Sequence, residues 1–276
     1  MRIFRKYRWV SLWLLIWMAC VGWPCRAAQP EPAEQLPVAE PVAETYHYDI
    51  AFLWFDRIAE AELSLQPAED PNRWQVMLEA STRGVAAWLT SDRAHNYASF
   101  MKLERDGAFT ALRHDSNIIK TKDGRRRVRL KSYLFDYDRQ RIVRQIKRDG
   151  RQKDDVVLPM PAAKPNDILT AFYNFRRGFY GPIEEGGKYR IPTYTRKGPS
   201  EIVVDVLGLD DRPSSPRFPK DGMLLKVQLD KEIFDTSKGI VYVWLDGQGR
   251  PAEVVVEDVI GLGDVRCTLR QKGKRS

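Results

Sequence analysis

The residues with the most chemical potential are basic. GRRRVRLK at 124–131 places Arg125, Arg126, Arg127, Arg129 and Lys131 within eight positions. At strand period Arg125, Arg127, Arg129 and Lys131 share one face, and Arg126, Val128 and Leu130 share the other. The next segment adds Arg139, Arg141, Arg144, Lys147 and Arg148. Guanidinium forks on such a hairpin suit the phosphates of lipid or other anionic headgroups. The same run also reads as a solvated sheet face whose charges protect an edge.

Other residue types offer less. His47, His95 and His114 fall on separate expected strands or turns with no ligand spacing. Asp154-Asp155, Glu184-Glu185 and Asp210-Asp211 are adjacent pairs, and strand neighbours point to opposite faces, so adjacency makes no dyad. The chain has no phosphate loop, no Gly-x-Ser-x-Gly elbow, no His-Glu-x-x-His and no Cys-x-x-Cys. The expectation is a protein that is not an enzyme, with no catalytic, cofactor-binding or metal residues and no cofactor. A hydrolase acting on an envelope polymer is the less favoured alternative. It would need two or three carboxylates, or a Ser/His pair, converging in a cleft. Cys267 alternates with Val265 and Leu269 and reads as a small buried hydrophobe.

The elements that must position these residues are mostly strands. Tyr46, Tyr48, Ile50, Phe52 and Trp54 alternate onto one face; Ala59, Ala61, Leu63 and Leu65 follow, then Trp74, Val76, Leu78 and Ala80. Further alternating runs lie near 95–104, 125–135, 141–148, 188–195, 201–208, 223–229, 240–246, 252–260 and 264–270. Asp-Gly at 106, 123, 149, 221 and 246 supplies the positive-φ residues of tight hairpins. The pattern predicts an all-β domain, mainly antiparallel, as a strongly curved sheet, barrel-like or sandwich.

One helix interrupts it at 167–176. Ile168, Leu169, Phe172 and Phe175 recur at helical spacing, Asn166 or Asp167 can cap the start, and Gly178 can end it. Leu169, Phe172 and Phe175 form one stripe. That stripe is either a permanent plug against the sheet or a lid over an apolar cavity.

The ends of the chain concern targeting. The chain has 45 Lys+Arg against 37 Asp+Glu, a formal +8. Residues 1–28 hold Arg2, Arg5, Lys6, Arg8 and Arg26 and no acid, so without them 40 cationic residues face 37 acidic ones, +3. MRIFRKYR, the apolar run Trp9–Trp23 and the small residues around Cys25 and Ala27 read as a signal peptide cleaved near Ala27-Ala28. The expected location is the periplasm; the alternative is an N-terminal anchor in the inner membrane. Residues 29–45 contain four prolines, four glutamates and no basic residue, and read as an extended linker. Residues 46–276 are then a single antiparallel β domain.

DILTAFYNFR at 167–176 resembles the signature of a bacterial exported family, domain of unknown function 3108. The matching positions are Asp167, Leu169, Thr170, Ala171, Tyr173, Phe175 and Arg176. YHYDIAFLWFDRIAEAELSL resembles the family's opening hairpin, although Phe55-Asp56-Arg57-Ile58 stands where the family usually has glycines. VYVWLDGQGRPAEVVVEDVIGLGDVRCTL resembles its closing hairpin. The resemblance covers about 45–270. It implies an exported, mainly β protein and carries over no activity and no catalytic residue.

Two non-enzyme readings follow. One is an exported envelope protein that binds lipid or another amphiphile, or serves as an assembly factor, with peripheral membrane contact. The other is a structural or partner-binding β module. Export disfavours nucleic acid as a partner.

Overall fold

The computed structural model describes residues 40–52, 55–82, 94–122, 124–160, 163–213, 218–231, 233, 236–259 and 263–270. The signal-like segment, its cleavage site, most of the linker and Trp54 lie outside the described residues. The alternating segments form fifteen antiparallel strands in one sheet. The first nine are β1 (Glu44–Phe52), β2 (Phe55–Pro67), β3 (Arg73–Thr82), β4 (Ala94–Leu103), β5 (Phe109–Lys122), β6 (Arg125–Asp136), β7 (Arg141–Arg148), β8 (Arg151–Gln152) and β9 (Val156–Pro159). Helix α1 (Ile168–Arg176) follows. Then come β10 (Lys188–Thr195), β11 (Gly198–Leu207), β12 (Met223–Gln228), β13 (Ile240–Leu245), β14 (Pro251–Val259) and β15 (Gly263–Leu269).

Asp-Gly pairs sit where hairpins turn. Asp149 and Gly150, between β7 and β8, have φ of 49° and 81°. Two positive φ values in succession match the right-handed twist of the flanking strands. Two features depart from expectation. Strand β5 occupies 109–122, a stretch whose alternation is interrupted where Phe100 faces Arg113 but Met101 faces Ala111. The extra residue there is a bulge, and it shifts the apolar period. Strand β1 also begins at Glu44, inside the expected linker, because Glu44 pairs with Leu65 and meets the helix.

The sheet runs β10 through β15 and then β1 through β8, with β9 beside β7. The last strand therefore pairs with the first: Tyr48 faces Leu269 and Ile50 faces Cys267. The sheet does not close into a barrel. It nevertheless curls: its end strand β10 meets β6, β7 and β9, near the other end, through side chains. Tyr194 of β10 packs against Tyr133 and Phe135 of β6, with ring centroids 4.8 and 5.2 Å apart.

Helix α1 lies on the inner face of this curl. Leu169 and Tyr173 join the core built on β1 to β5, while Ala171 and Phe175 join the core built on β10 to β14. One short helix thus wedges between the two halves of the sheet. Leu169 and Phe175 are buried, and Phe172 between them is half-buried.

Candidate functional site

Asp167 begins the helix in extended backbone, and its Oδ1 accepts from the Leu169 and Thr170 amides at 2.9 and 3.1 Å. A cap of this kind is worth about 1 kcal/mol. The carboxylate is also tied to the sheet. Ser99 Oγ of β4 donates to Oδ1 at 2.6 Å, and Thr170 Oγ1 donates to Oδ2 at 2.6 Å. His114 Nδ1 of β5 lies 2.9 Å from Ser99 Oγ and 3.4 Å from Asp167 Oδ1.

Serine, histidine and aspartate together invite comparison with a nucleophilic triad. There, imidazole bridges hydroxyl and carboxylate through its two different nitrogens. Here Nδ1 alone faces both oxygens, and the serine proton is already given to Asp167. With that hydroxyl hydrogen pointed at Asp167, Ser99 Oγ is left to accept from His114 Nδ1–H, so Nδ1 is not placed to take the serine proton. Ser99 has no exposed surface and Asp167 is 2% exposed. Burial pushes the Asp167 carboxyl up, but the pull of the His114 imidazole and the Ser99 and Thr170 hydroxyls outweigh it and hold the group below its ordinary value. The cluster is a strap for the helix start.

The middle and end of the helix are strapped as well. Asn174 accepts from the Phe109 amide at 2.7 Å and donates to the Phe109 carbonyl at 2.8 Å, pairing with β5 as another strand would. Arg176 grips Glu44 with both terminal nitrogens, and one of them also reaches Tyr46 Oη at 3.1 Å. Burial raises the Glu44 carboxyl, yet Arg176 and Tyr46 bring it below its usual value.

On its other side the helix leaves space. A cavity of about 220 Å³ lies between α1 and the inner face of the sheet. Leu169, Phe172 and Phe175 all line it, facing Val204, Val243 and Val254 of the opposite strands. The lining is apolar except for Tyr48 and Cys267, and the Tyr48 hydroxyl already donates to the Pro251 carbonyl at 2.9 Å. Burial pushes the Cys267 thiol up to about 12, as expected for a sulfur among hydrocarbons. The structure thus brings the three predicted helix residues together on one cavity wall.

The basic hairpin has an unexpected orientation. Opposed residues of an antiparallel ladder share a face. His114, whose ring reaches the helix, is opposite Tyr133. Lys131, Arg129, Arg127 and Arg125 continue the same face of β6, so they extend the inner surface of the curl. Arg125 and Arg127 are exposed, while Arg129 and Lys131 are half-buried. Ser99 and Asn174 were not singled out by sequence, and His114 was named there only as a histidine without ligand spacing. The available signal was polar residues standing at core positions of alternating strands.

No helix among the described residues is long and apolar enough to cross a membrane, and no group of metal-ligating residues occurs among them. What remains is an all-β protein built as an open curled meander, with an apolar cavity beneath a strapped helix. The chain belongs to the family described as protein of unknown function (DUF3108), whose model matches residues 46–270. No curated protein and no solved structure matches it.

Proposed function

We propose that this is a non-catalytic protein of the periplasm that holds the apolar chain of a lipid or other amphiphile beneath α1, as a carrier or assembly factor. The cavity carries this reading. Its apolar lining is surface that a bound hydrocarbon chain would cover, worth about 25 cal/mol for each Å² removed from water. An apolar void also gives water no partners, so it stays dry or takes a hydrocarbon. The strapped helix serves as a fixed wall, and the Ser99, His114 and Asp167 side chains are committed to holding it. The charged and apolar N-terminus supports export.

Native mass spectrometry of the gently purified chain tests the proposal. The expected spectrum contains an acyl-bearing adduct that Val254→Phe, which fills the cavity, removes. In delipidated protein, alkylation of Cys267, located by peptide mapping, should slow when a fatty acid is added. Absence of an adduct together with alkylation indifferent to fatty acid would end this reading.

A further inference from the structure

We infer that the inner face of β5 to β8 is a phosphate site that takes a ligand bearing at least two phosphate charges. The observation is an array of opposed cations on one face, five of them arginines with no ion pair among the described residues. Arg129 of β6 lies directly opposite Arg148 of β7, which in turn lies directly opposite Arg151 of β8. One position along, Arg127 of β6 is opposite Lys120 of β5. Towards the helix, Arg144 is opposite Tyr133 on the same face. Like charges placed directly opposite destabilise a sheet, and this face does it three times.

Some neighbouring cations are neutralised, although Arg126 and Lys147 on the outer face have no ion pair either among the described residues. On the outer face of the same strands, Arg113 pairs with Asp115 at 2.7 Å and Arg141 with Asp136 at 2.9 Å. Among the described residues, Arg127, Arg129, Arg144, Arg148 and Arg151 have no ion pair. The Nε atoms of Arg129 and Arg144 are buried with no hydrogen-bond partner, and buried donors are nearly always satisfied. No carboxylate shares this face of β5, β6 or β7. A merely solvated charge run explains neither the inner orientation nor the two orphaned Nε atoms.

Spacing sets the ligand class. Neighbouring strands are about 4.8 Å apart, and alternate residues on a strand about 6.8 Å apart. Arg129, Arg148 and Arg151 therefore cross about 10 Å, with Arg127 one step away. Guanidinium groups so placed can each give a two-point grip to a phosphate, and one phosphate cannot engage them all. The source is either a free polyphosphate or the phosphates of lipid headgroups. In the second case the head would sit on the surface that continues from the proposed tail cavity. The site does not depend on that cavity, and its test uses a probe without a tail.

The test titrates the full chain, at about 20 mM salt, with inorganic pyrophosphate and separately with phosphatidylglycerol vesicles in a phosphatidylcholine background. Two double variants remove the same charge from opposite faces: Arg129→Gln/Arg148→Gln on the inner face and Arg126→Gln/Lys147→Gln on the outer. The inner pair should weaken binding by at least about tenfold, the loss expected from removing charged hydrogen bonds. The outer pair should change it less than about threefold, and binding of wild type should fall towards 0.15 M salt. Pyrophosphate binding with this face dependence identifies a free polyphosphate as a sufficient ligand. The same dependence with vesicles alone identifies headgroups. Equal loss from both pairs, or no binding to either probe, overturns the proposal. So does a lower unfolding midpoint in the inner pair, because relieving opposed charges should leave stability unchanged or raised.

Discussion

Ser99 Oγ donates to Asp167 Oδ1 at 2.6 Å and so fixes the first turn of the only α-helix among the described residues to the fourth strand. The bond joins residues 68 positions apart, and both ends are buried. It has a pH consequence. Because the native carboxyl is held below its ordinary value of 3.8, the unfolded chain takes up this proton at higher pH than the folded one. The stability it contributes is complete above about pH 4 and is lost as pH falls through the native value. Urea midpoints from about pH 5 to about pH 2.5 should fall more steeply for wild type than for Asp167→Asn, which should also be weaker by about 1–3 kcal/mol at neutral pH. Parallel pH profiles would remove Asp167 from the acid response.

The Glu44–Arg176 grip predicts a coupling. Both side chains are 18% exposed, so solvent screens the pair only in part. Glu44→Gln and Arg176→Gln should each cost about 1–3 kcal/mol. A double-mutant cycle should return a coupling of about 1 kcal/mol or more. Strict additivity would mean that the two groups stabilise the fold separately.

The helix stripe predicts an asymmetry. Phe175 is 4% exposed, so Phe175→Ala should cost about 3–5 kcal/mol. Phe172 is half-buried and already borders empty space, so Phe172→Ala should cost about half as much and enlarge the cavity. With three straps holding α1, its amides should exchange as slowly as those of the central strands when no amphiphile is bound. Fast helix exchange in the empty protein would make α1 a mobile lid.

Much of this was legible in the sequence, for particular reasons. Alternation located most strands, and Asp-Gly pairs located the β4–β5, β7–β8 and β13–β14 turns. The stretch at 109–122 was hidden because a bulge breaks its period and because His114 and Ser116 stand where apolar residues would mark an inner face. The stripe Leu169, Phe172 and Phe175 was readable from spacing alone. The straps were not: Ser99, His114 and Asn174 acquire their meaning only from partners distant in the chain. The motif at 167–176 was visible as a signature, and the structure supplies its physical content. Asp167 and Thr170 hold the helix start, and Arg176 holds its end. That Arg125, Arg127, Arg129 and Lys131 share a face followed from period two. Which face it was depended on how the whole sheet curls.

The pairing of β15 with β1 has a consequence for how the chain acquires its shape. Every other ladder in the sheet joins strands that are neighbours or next neighbours along the chain. Residues 44–159 and 188–269 are therefore two meanders, each able to zip locally and quickly, since nearby contacts cost little loop entropy. Between them runs one non-local seam, reinforced by the helix. Its closure must await the final strand, so until Val265 and Cys267 arrive, β1 is a bare edge carrying Tyr48 and Ile50. Unprotected edges of that kind recruit other chains.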